Sequence, residues 1–340
     1  MHQHAANPLQ SLIPTDAVHV AVAVVRDVRG RVLISRRPAH VHQGGLWEFP
    51  GGKVEAMEDA FAALGRELRE ELGIRVVSAR PLIGVDHAYA DKRVYLDVWA
   101  VQAWEGEVAG REGQPHRWVD AKALGDYPFP LANLPIIQAV RLPKLYAITP
   151  EPEPGDLEPW LAAIERAAIA GLHLLQCRAG TLSAADYRIA AERVIALCRP
   201  HGCQVLLNAP PSLAVELGAA GVHLSSARLR EARQRPLPAT CWVGVSCHDA
   251  GELELARAID ADFAVLGPVR ATASHPGAKG LGWQAFQALA AMAKLPVFAL
   301  GGMRPEEMSA AWRAGAQGLA MISGIWAAAD PAAVIADLSA

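Results

Sequence analysis

GKVEAMEDAFAALGRELREELGI, Gly52 to Ile74, carries the marks of a helix entered from a turn, and it places Glu67, Glu70 and Glu71 within one helical turn of each other. Spacings of three and four residues put side chains on one helical face, about 5–6 Å apart at Cβ. Like charges held that close repel, so folding alone does not favour the cluster. A divalent cation removes the repulsion, and carboxylate oxygens are hard ligands suited to Mg²⁺ or Mn²⁺. Just upstream, Pro50-Gly51-Gly52 makes a tight turn where backbone can approach a ligand and offer a carbonyl. A solvated charged face is the competing account of a Glu-Glu pair. Here the turn, the helix and the spacing occur together, which favours the metal.

The stretch resembles the Nudix signature: Gly, five residues, Glu, seven residues, then Arg-Glu-apolar-X-Glu-Glu-X-Gly-apolar. Gly52, Glu58, Arg66, Glu67, Leu68, Glu70, Glu71, Gly73 and Ile74 fill it without departure. The resemblance implies a loop–helix–loop that holds catalytic metal against a nucleoside diphosphate linkage.

At 340 residues with 52% apolar and 20% charged content, the chain is long enough for two domains, each with its own core. A formal net charge of −3 points away from polymeric nucleic acid, which calls for a basic patch. No apolar run reaches the roughly 18–20 residues of a membrane span. MHQHAANPLQ lacks the basic start and apolar core of a secretory signal. The five cysteines are scattered, with no C-x-x-C pair, so neither disulfides nor structural zinc is expected and a cytoplasmic location is.

In the first half, strands are expected at Val18–Val25, Arg31–Ser35, Val76–Ile83 and Val94–Ala103. Strands interrupted by one long helix predict an α+β Nudix fold, an α/β/α sandwich, over residues 17–142. Arg36 and Arg37 end the second strand, where a guanidinium either faces solvent or clamps phosphate oxygens. Phe49 is either core or a stacking residue. Glu112, in a Gly-rich loop, is either solvated or a further metal ligand or base.

The runs LWEFPGGKVE, WEGEVAGREGQP and YPFPLANLPII are similar to the MutT branch, which hydrolyses oxidised guanine nucleotides. That likeness implies a small-molecule nucleotide substrate, 8-oxo-dGTP, attacked at phosphorus by a metal-activated water. It implies metal ligation by Glu67, Glu70 and Glu71, with the Gly51 carbonyl and Glu112 as further ligands. Glu67 and Glu112 both remain open as the base, and Arg66 orients a motif carboxylate such as Glu58. It also implies that Arg37, Phe49 and Asn133 line the nucleotide pocket, Asn133 reading the 8-oxopurine edge. Lys92 stands where that branch commonly has arginine. Independently, an amide offers both a donor and an acceptor, so Asn133 suits a patterned purine edge, although Asn in a Pro-rich loop also forms turns.

Past Arg141-Leu142-Pro143, strands and helices alternate: Leu145–Thr149, Leu172–Gln176, Gln204–Asn208, Gly221–Leu224, Trp242–Ser246, Phe263–Leu266, Val297–Leu300 and Leu319–Ile322. Eight such units predict an α/β TIM barrel over residues 144–338, with its site at the strands' C-terminal ends. Gly301-Gly302 after the seventh strand and Ser323 after the eighth are placed to bind phosphate through backbone amides.

LYAIT, LLQCR, LLNAP, GVHL, VGVSCH, AVLGPV, ALGGM and MISGI make this half similar to the thiamine phosphate synthase and TenI superfamily. The resemblance implies a phosphorylated thiazole or thiamine ligand, contacted by Gln176, Arg178 and Asn208. Gly180 stands at the synthase lysine, Ala209 and Pro210 follow Asn208 where synthases carry Asp-Arg, and Ser225–Arg228 lacks the Mg²⁺-binding aspartate. His248 aligns with the proposed acid/base histidine of TenI, though a histidine at a strand end also serves as a cap. His275 lies in another altered loop. A binding module without synthase activity is therefore expected, with a tautomerase, a synthase or a ligand sensor as alternatives.

Overall fold

The structure, a computed structural model, describes residues 13–111, 113–153, 155–271 and 280–339. Glu112 and His275 lie outside them. The chain divides into two compact units, Met1–Leu142 and Pro143–Ala340.

The first unit runs β1 (Ala17–Val25), β2 (Val32–Arg36), β3 (Trp47–Glu48), β4 (Gly51–Lys53), α1 (Ala60–Leu72), β5 (Arg75–Ala88), β6 (Arg93–Glu105), β7 (His116–Val119) and α2 (Leu134–Arg141). One sheet has the order β4-β1-β6-β5 and the other β3-β2-β7. β1 lies parallel to β6 and antiparallel to β4, with Val22 opposite Gly51. Side chains alternate along a strand, so β1 serves two cores. Ala21, Ala23 and Val25 pack with Leu64, Leu68 and Leu72 of α1. Val22 and Val24 pack with Ile136 and Ile137 of α2. Helices on both faces make this an α/β/α sandwich.

α1 is fixed at both ends. Asp59 accepts a hydrogen bond from the Ala62 amide at 2.8 Å, capping the start. Gly73, with φ +73°, ends it in the left-handed conformation that glycine adopts without strain. Because Leu64, Leu68 and Leu72 face the core, Glu67, Glu70 and Glu71 point elsewhere.

β5 and β6 are longer than the patterns suggest, at 14 and 13 residues. Gly84, Asp86 and His87 are poor strand formers, yet each pairs with β6, so cross-strand pairing overrides propensity. β3, β4 and β7 have two to four residues, too few to show a period.

The second unit contains β8 (Leu145–Ile148), α3 (Glu158–Ile169), β9 (Leu174–Cys177), α4 (Ala184–Cys198), β10 (Gln204–Leu207), α5 (Pro211–Glu216), β11 (Gly221–Leu224), α6 (Ser226–Glu231), β12 (Trp242–Cys247), α7 (Ala250–Ala258), β13 (Phe263–Leu266), α8 (Gly282–Met292), β14 (Val297–Leu300), α9 (Met308–Arg313), β15 (Gly318–Met321), α10 (Ser323–Trp326) and α11 (Pro331–Ser339). β8 to β15 pair in parallel and close into a barrel, β15 against β8. The rings of Tyr146, Phe263 and Phe298 pack 5.1–5.8 Å apart inside it. Gly244 makes room for them: a Cβ there would fall 2.5 Å from Phe263 Cζ.

Candidate functional site

Four carboxylates and one guanidinium converge beside the turn that leads into α1. Arg66 donates from Nη2 to Glu58 at 2.7 Å and to the Lys53 carbonyl at 3.0 Å, and from Nη1 to Glu67 at 2.9 Å and Glu70 at 3.4 Å. Hydrogen bonding to Glu58, more than any other contact, raises the Arg66 pKa beyond its already high value. The same bond holds Glu58 below the ordinary carboxylate range. Arg66 therefore organises the acidic face and is itself occupied. Glu71 lies on the cleft side, whereas the Glu70 side chain is 55% exposed and lies outside the cleft wall.

A cleft of about 360 Å³ opens next to this face. Of the residues singled out from sequence, Arg37, Phe49, Gly51, Glu71, Lys92 and Asn133 line it. Arg37 sits just past the end of β2 and pairs with Glu48, donating from Nε to the His42 carbonyl at 3.0 Å as well. Burial raises the pKa of Glu48 against the pull of Arg37. Phe49 is 2% exposed and stacks on Phe129 at 5.5 Å, so it is core and cleft wall at once. Lys92 lies where the β5–β6 hairpin turns, the Tyr89 amide donating to its carbonyl at 2.8 Å. Asn133 is 7% exposed, and although it precedes α2 its side chain makes no capping bond to that helix. Its backbone N–H closes the preceding turn on the Pro130 carbonyl at 2.9 Å, which leaves the side-chain amide out of the turn.

Does this donor set suit a divalent cation? Among the described residues no three His, Cys, Asp or Glu side chains stand as a ready-made metal group. Glu58, Glu67 and Glu70 are instead drawn to the nitrogens of Arg66. The chemistry nevertheless fits, since Glu67, Glu70 and Glu71 are all hard oxygen donors on one helix. The backbone is cut away for them too: a Cβ on Gly52 would fall 2.1 Å from Glu67 Cδ. Gly51 presses as closely on β1, where a Cβ would meet the Ala21 carbonyl oxygen at 2.1 Å.

In the second unit the predicted residues divide. Gln176 and Asn208 meet at the C-terminal end of the barrel, Asn208 Nδ2 donating to Gln176 Oε1 at 3.1 Å. Arg178 is exposed, with Nη2 3.5 Å from Glu151. His248 Nδ1 lies 2.9 Å from Glu252 and 3.0 Å from Ser226 Oγ, and its backbone amide donates to Glu252 at 2.8 Å. Those contacts tie it to the Glu252 side chain in the first turn of α7, whose N-cap is Asp249. Gly301 and Gly302 have φ of +103° and +67° and pack against Pro268 and Arg270. The Gly301 carbonyl accepts from the Arg270 amide at 3.1 Å. Ser323 opens a helix of only four residues.

Several residues escaped the sequence reading. Glu48 was visible only as part of LWEFPGG, and nothing local marks it as the partner of Arg37. Tyr146, His223 and Ser246 form a polar line through the barrel, with Tyr146 Oη 3.1 Å from His223 Nδ1 and His223 Nε2 2.9 Å from Ser246 Oγ. The one available signal was a histidine inside an otherwise apolar strand, GVHL.

The family described as NUDIX domain matches residues 21–139, and that described as thiamine monophosphate synthase matches residues 145–325. The 8-oxo-dGTP diphosphatase of Escherichia coli (strain K12) is 36% identical over 124 residues, covering 36% of this chain and 96% of that protein. The CTP pyrophosphohydrolase of the same organism is 37% identical over 120 residues, covering 35% and 87%. The thiamine-phosphate synthase of Thioalkalivibrio sulfidiphilus (strain HL-EbGR7) is 34% identical over 202 residues, covering 59% and 95%. With the first match spanning 96% of its relative and the second more than half of this chain, the chain belongs to the Nudix family through its first unit and to the thiamine monophosphate synthase family through its second.

Proposed function

We propose that the first unit is a divalent-metal-dependent pyrophosphohydrolase that prefers oxidised guanine nucleotides such as 8-oxo-dGTP, giving the monophosphate and pyrophosphate. One observation carries this reading: Glu71 and Gly51 line the same cleft as the nearly buried Asn133. Carboxylate chemistry and a base-reading amide thus share one pocket. Mg²⁺ or Mn²⁺ held by Glu67, Glu70 and Glu71 with the Gly51 carbonyl would neutralise phosphate charge and lower the pKa of a bound water. Arg66 keeps the carboxylates positioned, and Arg37, fixed by Glu48, presents its guanidinium to the cleft. Glu67 and Glu112 are the two candidate bases. Phe49 and Lys92 complete the nucleotide pocket.

Identity does not choose the substrate, because the 8-oxo-dGTP and CTP enzymes are 36% and 37% identical to this chain. Asn133 supports the oxidised purine: a buried amide left unpaired by the wrong base edge discriminates strongly. The test is pyrophosphate release from 8-oxo-dGTP, dGTP and CTP, each below saturation, with wild type and Asn133→Ala. The expected outcome is a preference for 8-oxo-dGTP that Asn133→Ala erases. Equal use of all three by the wild type refutes it.

The second unit, in the same proposal, binds a phosphorylated thiazole or thiamine ligand without synthase turnover. Supporting this, Gly180 and Ala209 put no charge beside Gln176 and Asn208. Formation of thiamine phosphate by the purified chain would overturn that part.

A further inference from the structure

Among the described residues, one half-buried arginine at the barrel's C-terminal end, Arg228, pairs with no carboxylate. Among the described residues of the second unit every other arginine is either exposed or, like Arg235 with Asp262 at 2.7 Å, paired with an acid. Arg228 is half-buried, and its side chain makes one hydrogen bond, from Nη1 to Asn208 Oδ1 at 3.0 Å. A cation kept partly out of water without a counter-charge is costly unless an anion joins it.

The chain of contacts behind Arg228 says what else the site offers. A guanidinium can only donate, so Asn208 must present its oxygen to Arg228 and its nitrogen to Gln176. Gln176 therefore accepts with Oε1 and donates from Nε2 to Tyr146 Oη at 3.3 Å. Tyr146 is fully buried, and its own proton has His223 Nδ1 to go to, 3.1 Å away. The opposite polarity would leave that hydroxyl proton buried and unbonded. His223, kept neutral by burial, then carries its proton on Nε2 and donates to Ser246 Oγ at 2.9 Å. Ser246 has accepted, so its proton is free. Arg228, Asn208 and Ser246 are each partly exposed at the C-terminal end of the barrel strands. What they retain there is donors: guanidinium N–H, a second amide N–H and the Ser246 O–H.

With Arg228 beside no acid, and Asn208 and Ser246 each keeping a donor, this group of three repels a metal ion and matches an acceptor-rich anion. We infer that the barrel binds a phosphoryl group directly on Arg228, Asn208 and Ser246, with no divalent cation between them. The inference rests on the reading of the second unit as a binder of phosphorylated ligands, and it specifies that site's charge and its independence of metal.

The experiment is calorimetric titration of the full chain with inorganic phosphate and with pyrophosphate, in excess EDTA and then in Mg²⁺. Wild type, Arg228→Met, Ser246→Ala and Glu70→Gln are compared, each checked for a native melting transition. Binding in EDTA is expected, weakened about tenfold or more by Arg228→Met and severalfold by Ser246→Ala. Glu70→Gln should not alter the EDTA titration. Ser246→Ala keeps the result interpretable if Arg228→Met does not fold. Binding that requires Mg²⁺, or that survives both barrel substitutions, overturns the metal-free site while leaving a phosphorylated ligand in the barrel. No binding of either anion under any condition overturns both.

Discussion

Lowering the pH should destabilise the barrel through His223. Its ring is 1% exposed, and burial pushes its pKa down to about 3. In the unfolded chain the same imidazole titrates near 6.5. As pH falls through 6.5 the unfolded state gains a proton that the folded state refuses, so stability falls until the pH nears 3. At pH 5 the linkage amounts to about 2 kcal/mol relative to pH 8, and roughly 5 kcal/mol at its limit. Other groups titrate in this range too, so the readout is the difference between wild type and His223→Gln, which keeps a donor and an acceptor but no titration. All five cysteines, Cys177, Cys198, Cys203, Cys241 and Cys247, lie in the second unit. Pulse labelling of the four buried thiols, Cys241 being partly exposed in the folded barrel, with a reagent that reacts in acid along a urea series therefore reports barrel unfolding alone. The stability advantage of wild type over the variant should shrink by about 2 kcal/mol between pH 8 and pH 5. A difference that stays constant across that range, or grows, refutes the neutral buried imidazole.

Two further substitutions separate the units. Gly52→Ala places a methyl 2.1 Å from Glu67 Cδ. It should cut pyrophosphate release by about a hundredfold through misplacement of that carboxylate, with barrel stability by thiol labelling unchanged. Gly244→Ala sets a Cβ 2.5 Å from Phe263 Cζ and 3.0 Å from His223 Nδ1. It should destabilise the barrel by about 1–3 kcal/mol in the urea series and leave nucleotide hydrolysis intact.

The barrel was legible because parallel strands are buried on both faces and read as short apolar runs, such as VFAL at Val297–Leu300 and FAVL at Phe263–Leu266. Their ends moved by a residue or two, where apolar residues continue into the flanking turns. β3, β4 and β7 were invisible for the opposite reason: a two-residue strand such as Trp47–Glu48 exists only because β2 lies beside it. The same division holds for the sites. Glu67, Glu70 and Glu71 sit on one helix, so their spacing is itself their geometry. The pairing of Arg37 with Glu48, and the line from Arg228 to Ser246, join residues of different elements. Tyr146 and His223 are 77 positions apart. No local pattern encodes such a contact.

The two units, in the proposed readings, meet phosphate with opposite charge. Beside the first cleft, α1 presents carboxylates that repel a polyphosphate until a cation lies between, so catalysis there depends on metal. Around Arg228, Asn208 and Ser246 it is donors that remain, and a divalent cation would be repelled where a phosphoryl group is drawn in. Chelation is therefore a selective perturbation. It should stop nucleotide hydrolysis completely while leaving phosphate binding in the second unit untouched. Were chelation to abolish both, a shared dependence on metal would replace this division, and Arg228 would have to be read as a structural cation holding Asn208 in place.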